Sequence, residues 1–258
     1  MNKHNLIFNL LIFVLIAGAC APPAPPKKKS ATVKHNYIIL LDLSDRLIIQ
    51  KEQPDRDKTI IRSIFDVFEQ KVKKELYIRS RDEIKVVIAP QRGSGIQTDV
   101  FEDDLYINMG TIPNIYRRAK EAERKDTFNT SLDKLYKKAV FSKNPLDYYG
   151  ADIWKYFYED LKNDYSNDTL TSNFLFVITD GYPIVGKDPQ KLQPVKNAFP
   201  DLHVILVEAC PRDKDMEWDR LMDLWAKWFN DMNINKYTLI KRKAITKEIE
   251  QIKDIVSK

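Results

Sequence analysis

Two short stretches carry residue types that can do chemistry: Asp42-Leu43-Ser44-Asp45-Arg46 and Thr179-Asp180-Gly181. Each sets an Asp directly behind an apolar run, Tyr37-Ile38-Ile39-Leu40-Leu41 in the first case and Asn173 to Thr179 in the second. Continuous apolar runs of this length read as strands buried on both faces. In open α/β sheets, ligands bind beyond the carboxyl ends of the strands. Asp42, Ser44 and Asp180 are therefore expected on one sheet edge. Two carboxylates and a hydroxyl form a hard-oxygen set of the kind that takes Mg²⁺, Mn²⁺ or Ca²⁺. Arg46 complicates that set, because a guanidinium has no acceptor and repels a cation. It can pair instead with Asp45, Asp57 or Asp180, partly replacing a metal by an internal positive charge.

Rare residues narrow the chemistry further. The chain has three His and two Cys, and only His35 and His203 lie beyond the N-terminal segment. No Cys/His zinc cluster and no CxxC follow from that set. His203 and Cys210 read as packed or loop residues. There is no GxGxxG and no GxxxxGK[ST], so the usual phosphate-cradling loops are missing. An aspartyl-phosphate enzyme would want Asp at position 44, where Ser stands. The formal net charge of +5 comes from 42 basic and 37 acidic residues. Four of the basic ones, Lys3 and Lys27 to Lys29, sit in the first thirty residues, which hold no acid; the remaining 38 basic and 37 acidic residues nearly cancel. Nothing in that balance points to nucleic acid.

Leu6 to Ala19 is apolar except for Asn9. That is short of the roughly 20 residues a membrane span requires and fits the core of a secretory signal. The segment ends Ile16-Ala17-Gly18-Ala19-Cys20, which resembles the lipobox of bacterial lipoproteins, with Ala17 where Leu is more usual. The resemblance implies residues 1–19 as a signal peptide and Cys20 as the lipidated residue. Ala21 to Ser30 (APPAPPKKKS) then reads as an extended, solvated tether within residues 20–34.

The elements that must position the edge follow from periodicity. Lys58 to Tyr77 carries helical apolar spacing, and Ile84 to Ala89 is a strand closed by Pro90. Val100 to Met109 is a weaker strand. Pro113 to Arg124 and Thr130 to Phe141 predict two helices with a basic face, a helical insertion around 111–143. Asp152 to Leu161 predicts an aromatic-rich helix, Leu202 to Ala209 a strand, and Asp215 to Met232 an amphipathic helix. Tyr237 to Ile240 and Ile245 to Val256 close the chain as strand and helix. Buried strands alternating with helices predict one α/β domain over 35–258: a Rossmann-like, mostly parallel central sheet flanked by helices on both faces.

At the motif level the chain resembles the von Willebrand factor type A domain. Its metal-ion-dependent adhesion site uses Asp-x-Ser-x-Ser after the first strand, a Thr from a middle loop, and an Asp, often in TDG, after a later strand. Asp42-Leu43-Ser44 and Thr179-Asp180-Gly181 match; Arg46 stands in place of the second Ser. Gly150-Ala151-Asp152-Ile153 resembles the middle stretch, with Ala151 for Thr and Asp152 as the substitute oxygen. Thr127 or Thr130 is the alternative. The resemblance implies a metal set of Asp42, Ser44, Asp152 and Asp180, modulated by Arg46 and Asp45. With the lipobox, it implies a von Willebrand A-like lipoprotein of a Gram-negative bacterium, in the outer membrane facing the periplasm. The expected function is protein binding, an adhesion or scaffold module, and not an enzyme. Tyr148, Tyr149 and Tyr182 are candidates for the partner rim. The alternative is a divalent-metal-dependent phosphoryl-transfer hydrolase using Asp42 and Asp180.

Overall fold

The computed structural model describes residues 33–74, 78–91, 99–142, 150–183, 194–195, 199–210 and 215–257. Cys20, Tyr148 and Tyr149 lie outside them. By contacts the chain divides into Met1–Ala31 and Thr32–Lys258, and every described residue belongs to the second unit.

The apolar run after His35 forms β1 (Lys34–Leu41), with Tyr37 to Leu41 fully buried. Such a strand needs neighbours on both edges and cover on both faces. β2 (Glu83–Ile88) and β4 (Thr171–Ile178) pair with it in parallel. β5 (Leu202–Ala209) and β6 (Lys236–Lys241) continue the parallel sheet, and a short β3 (Tyr106–Asn108) closes the other edge antiparallel to β2. The order is β3-β2-β1-β4-β5-β6. Leu41 is level with both Ile88 and Ile178. Register thus delivers the residues after three strands to one line, where a shared site can form.

Alternation along β1 feeds two cores. Tyr37, Ile39 and Leu41 pack with Ile60, Ile64, Phe65 and Phe68 of α2 (Gln53–Val72), Phe128 and Leu132 of α4 (Arg117–Phe141), and Ile252 of α8 (Ile245–Ser257). Ile38 and Leu40 face the opposite layer. There Tyr156, Phe157, Trp225, Trp228 and Phe229 close over the sheet from two helical segments, one of them α7 (Asp215–Asp231). The sheet is therefore α/β, mostly parallel and covered by helices on both faces, as the periodicity predicts.

Three local expectations change. Residues 100–109 hold not one strand but a helical turn, α3 (Asp99–Glu102), before β3. Alternating polar residues suit the exposed edge strand, and Phe101 is buried from a turn. The two helices expected within 111–143 are one continuous helix, α4, because Phe128, Leu132, Leu135, Tyr136 and Ala139 hold a single stripe against α2. The aromatic helix over 152–161 is broken into α5 (Ile153–Lys155), a π-helical turn (Tyr156–Asp160) and α6 (Leu161–Asp164). A π turn inserts a residue and lets Tyr156 and Phe157 both point inward.

Ile39 tests the central strand. Ile39→Ala opens a cavity between sheet and α2, which should cost about 2–5 kcal/mol. Urea unfolding should show a lower midpoint with an unchanged slope.

Candidate functional site

The edge is built from the two loops named by sequence. One ladder bond continues past each strand: Asp42 N donates to Ile178 O (3.0 Å), and Thr179 N to Val207 O (3.2 Å). These bonds fix Asp42 beside Thr179. Asp42 Oδ1 accepts from the backbone N of Ser44 (2.8 Å), and Oδ2 accepts from Thr179 Oγ1 (2.7 Å). The Thr179 hydroxyl accepts in turn from Gly181 N (3.1 Å). Asp42 thus ties the first loop to itself and to the loop after β4.

Arg46 opens α1 (Arg46–Ile49) and turns inward rather than out to water; it is 2% exposed. Its Nε donates to Asp42 O (2.8 Å) and Nη2 to Ile178 O (3.3 Å), so it caps the last carbonyls of two adjacent strands. Its two terminal nitrogens grip both oxygens of Asp57 on α2, at 3.2 and 2.6 Å. The paired geometry suits a planar guanidinium and a carboxylate. Of the three partners open to Arg46 in the sequence, Asp57 takes the paired contact. The Asp42 carboxylate lies 3.7 Å from Nε.

A buried pair of this kind survives only if its remaining atoms are satisfied. Gln53 Nε2 donates to Asp57 Oδ1 (2.7 Å) and Tyr136 Oη to Oδ2 (3.1 Å). Burial works against the Arg46 charge, but Asp57 and then Asp42 outweigh it and hold the group above its ordinary pKa. Burial lifts the Asp57 carboxyl above the usual range, opposed chiefly by Arg46. Tyr136 is raised well above a normal phenol, by burial and then by Asp57, and stays a neutral donor.

The network extends beyond the two loops to β5. Gln53 Nε2 also donates to Glu208 Oε2 (3.0 Å), and Arg56 holds Glu208 at 2.5–3.2 Å. Strict alternation in β5 would aim Glu208 at α7. Ile205 and Val207 do face the first core, and Leu206 the second, but Ala209 also faces the second. A register shift against β6 between Leu206 and Ala209, with Glu208 at φ 66°, supplies the extra residue. The bulge swings Glu208 to the α2 and α8 side. An acid at an even position of an apolar run was its only trace in the sequence.

The other expected site residues fall as follows. Asp180 is buried; its Oδ1 accepts from Tyr182 N (3.3 Å) and its carbonyl from Cys210 N (3.1 Å). Gly181 has φ 110°, and a Cβ there would stand 2.5 Å from Leu221. Its carbonyl accepts from Trp225 Nε1 (2.6 Å), which pins the turn to α7. Ser44 is buried beside Asp42, and Asp45 O accepts the amides of Ile48 and Ile49. Asp152 caps α5, its Oδ1 accepting from Lys155 N (2.9 Å), and its own N donates to Pro90 O (2.8 Å) after β2. Thr127 bonds back to Glu123 O within α4, and Thr130 is exposed on that helix. Tyr182 is half-buried against the second core.

Both Asp42 oxygens already accept hydrogen bonds, Asp152 caps a helix, and a buried guanidinium occupies the strand ends. Among the described residues no group of three or more His, Cys, Asp or Glu is arranged to hold a metal.

No protein-family model matches the chain, and no curated protein matches it. Among solved structures the chain is similar to proximal thread matrix protein 1 from the mussel byssus, in its second crystal form. Identity is 14% and the TM-score 0.37, over 87% of this chain and 47% of that one. The chain thus spans about half the length of that structure.

Removing Arg46 should expose what it holds. Arg46→Ala leaves Asp57 buried and uncompensated, at a cost of about 3–5 kcal/mol. That carboxyl must then be protonated to be tolerated, so the variant should regain stability as pH falls. Urea unfolding at pH 5 and pH 8 checks both points.

Proposed function

We propose that this chain is a lipid-anchored binding module of the cell envelope, built on a von Willebrand A-like sheet, that holds a protein partner at the carboxyl edge of its strands without a metal ion. The observation that carries the reading is Arg46. A guanidinium bonded to Asp42 O, Ile178 O and both oxygens of Asp57 supplies the positive charge that a cation supplies in the adhesion-type site. The edge keeps the Asp-x-Ser and Thr-Asp-Gly loops as architecture, and Arg46 ties them together from inside. Partner contact falls to the rim, where Tyr182 follows Gly181; Tyr148 and Tyr149, outside the described residues, are rim candidates by sequence.

Support for binding over phosphoryl transfer comes from Asp42. It is 2% exposed, and Ser44 N and the Thr179 hydroxyl take both its oxygens. A nucleophile needs access to the substrate. Support for anchoring comes from the apolar stretch ending at Cys20 and the proline-lysine tether behind it.

Calorimetric titration of Mg²⁺, Mn²⁺ and Ca²⁺ into the full-length protein should give no saturable heat. Saturable binding that Asp42→Ala abolishes would restore the metal-dependent form of the site. In cells fed labelled palmitate, label should enter the wild-type chain and not Cys20→Ser; equal labelling of both would remove the anchor from the proposal.

A further inference from the structure

Glu208 and Glu248 are both buried, and both reach one nitrogen: Arg56 Nη2 donates to Glu208 Oε1 at 2.5 Å and to Glu248 Oε1 at 3.2 Å. The charged groups around them can be counted. From α2 come Arg56, the exposed Glu52 and Asp57, which is paired with Arg46 and shares Gln53 with Glu208; from β5 comes Glu208; from the turn after β6 come Arg242 and Lys243. Arg242 reaches Glu52 (2.9 Å) and stands 3.6 Å from Glu208. The Lys243 ammonium points away to Gln251 (2.6 Å), while its backbone N donates to Glu248 and its carbonyl accepts from Arg56 (3.0 Å). On α8 itself the nearest cation, Lys247, is exposed.

Beside the Asp57–Arg46 pair, two guanidinium groups therefore face three carboxyl groups, two of them buried. The exposed Glu52 draws on Arg242, so the two buried carboxyls share Arg56. Glu248 Oε2 is sealed from solvent with no donor in reach, so it is the atom on which a proton, shared toward Glu208, removes an uncompensated acceptor. Carboxyl pairs that share a site behave in this way, because two adjacent buried charges cannot both ionise cheaply. Glu208 is held ionised, below its usual pKa despite burial, by hydrogen bonds from Arg56 above all.

We propose that the Glu208–Glu248 pair is a proton-operated catch that fastens the first turn of α8 to β5 and α2. The far end of α8 is held independently, by Ile252 and Val256 in the core and by Lys71 Nζ on Val256 O (2.8 Å). Loss of the proton therefore loosens one end of the helix and not the fold. The effect can reach the strand-end edge, because Gln53 bonds Glu208 and Asp57 with the same nitrogen.

The sign of the pH effect is fixed by Glu248. Burial, and then Glu208, push it up to about 8. A carboxyl raised in the docked state and normal when released favours docking in acid. The preference is lost as pH rises from the ordinary glutamate value to about 8, and it is constant above that.

Hydrogen exchange of the full-length protein, corrected for intrinsic rates, reads the catch directly. Opening of residues 245–251 should rise by roughly 50-fold to 100-fold between pH 6 and pH 9 and flatten above pH 8. Residues 34–41 should not follow. Glu248→Gln keeps the hydrogen bonds of the protonated form and has nothing to titrate, so its opening should stay level. A wild-type profile independent of pH, or the same rise in Glu248→Gln, would overturn the proposal. Should that variant fail to fold, carbon-13 titration of wild-type carboxyl groups decides: one Glu with a midpoint near 8 supports the catch, and all midpoints below 6 refute it.

Discussion

The arginine at the ends of β1 and β4 is the constraint on which the edge of the sheet rests. A parallel sheet leaves its last carbonyls and its loop carboxylates crowded together at one edge. Some positive charge must meet them. Here Arg46 does so, bonded to Asp42 O, Ile178 O and Asp57 at once. Because the guanidinium is buried, Asp57 must be buried with it, and Gln53 and Tyr136 must complete Asp57. Four elements are thereby tied at one point: β1, β4, α2 and α4. Such a pair adds little net stability compared with apolar packing. What it fixes is which loop lies against which strand end.

A second polar layer grows from the first. Gln53 passes from Asp57 to Glu208, and Glu208 meets Arg56, Arg242 and Glu248. The bulge in β5 makes this possible by moving one side chain across the sheet. On the opposite face the buried polar bonds lie elsewhere, among Asn36, Asn173 and Asp164. There an aromatic group, Phe157, Trp225, Trp228 and Phe229, packs ring against ring. One polar bond leaves it, from Trp225 to Gly181 O, and this pins the Thr179-Asp180-Gly181 turn from the other side. The candidate edge is thus gripped by charge from one core and by an indole from the other.

The two layers divide rigidity and response. Asp57 and Arg46 neutralise one another, and Gln53 and Tyr136 complete the pair. In the Glu208 cluster two buried carboxyls share one arginine nitrogen and Glu248 Oε2 has no donor, so on our proposal its state depends on a proton. The edge is built to stay, while the turn into the last helix is built to respond.

The amino-acid sequence by itself determined the sheet and its loaded edge. Apolar runs such as Tyr37 to Leu41, short and followed by polar loop residues, read as strands buried on both faces. Asp42 and Asp180, directly behind such runs, had to lie on one edge, at the carboxyl side. The arginine at 46 marked the site as unusual before any contact was known. Tertiary structure decided which carboxylate received it: Asp45, Asp57 and Asp180 were equal in sequence, and only the packing of α2 across β1 brings Asp57 within reach. It also decided that α4 is one helix, since a single stripe against α2 outweighs the polar residues between its halves. The place of Glu208 was beyond any periodic reading, because a one-residue bulge reverses which face a side chain takes. Periodicity records local backbone geometry; partner choice between charges depends on distances that only the packed chain sets.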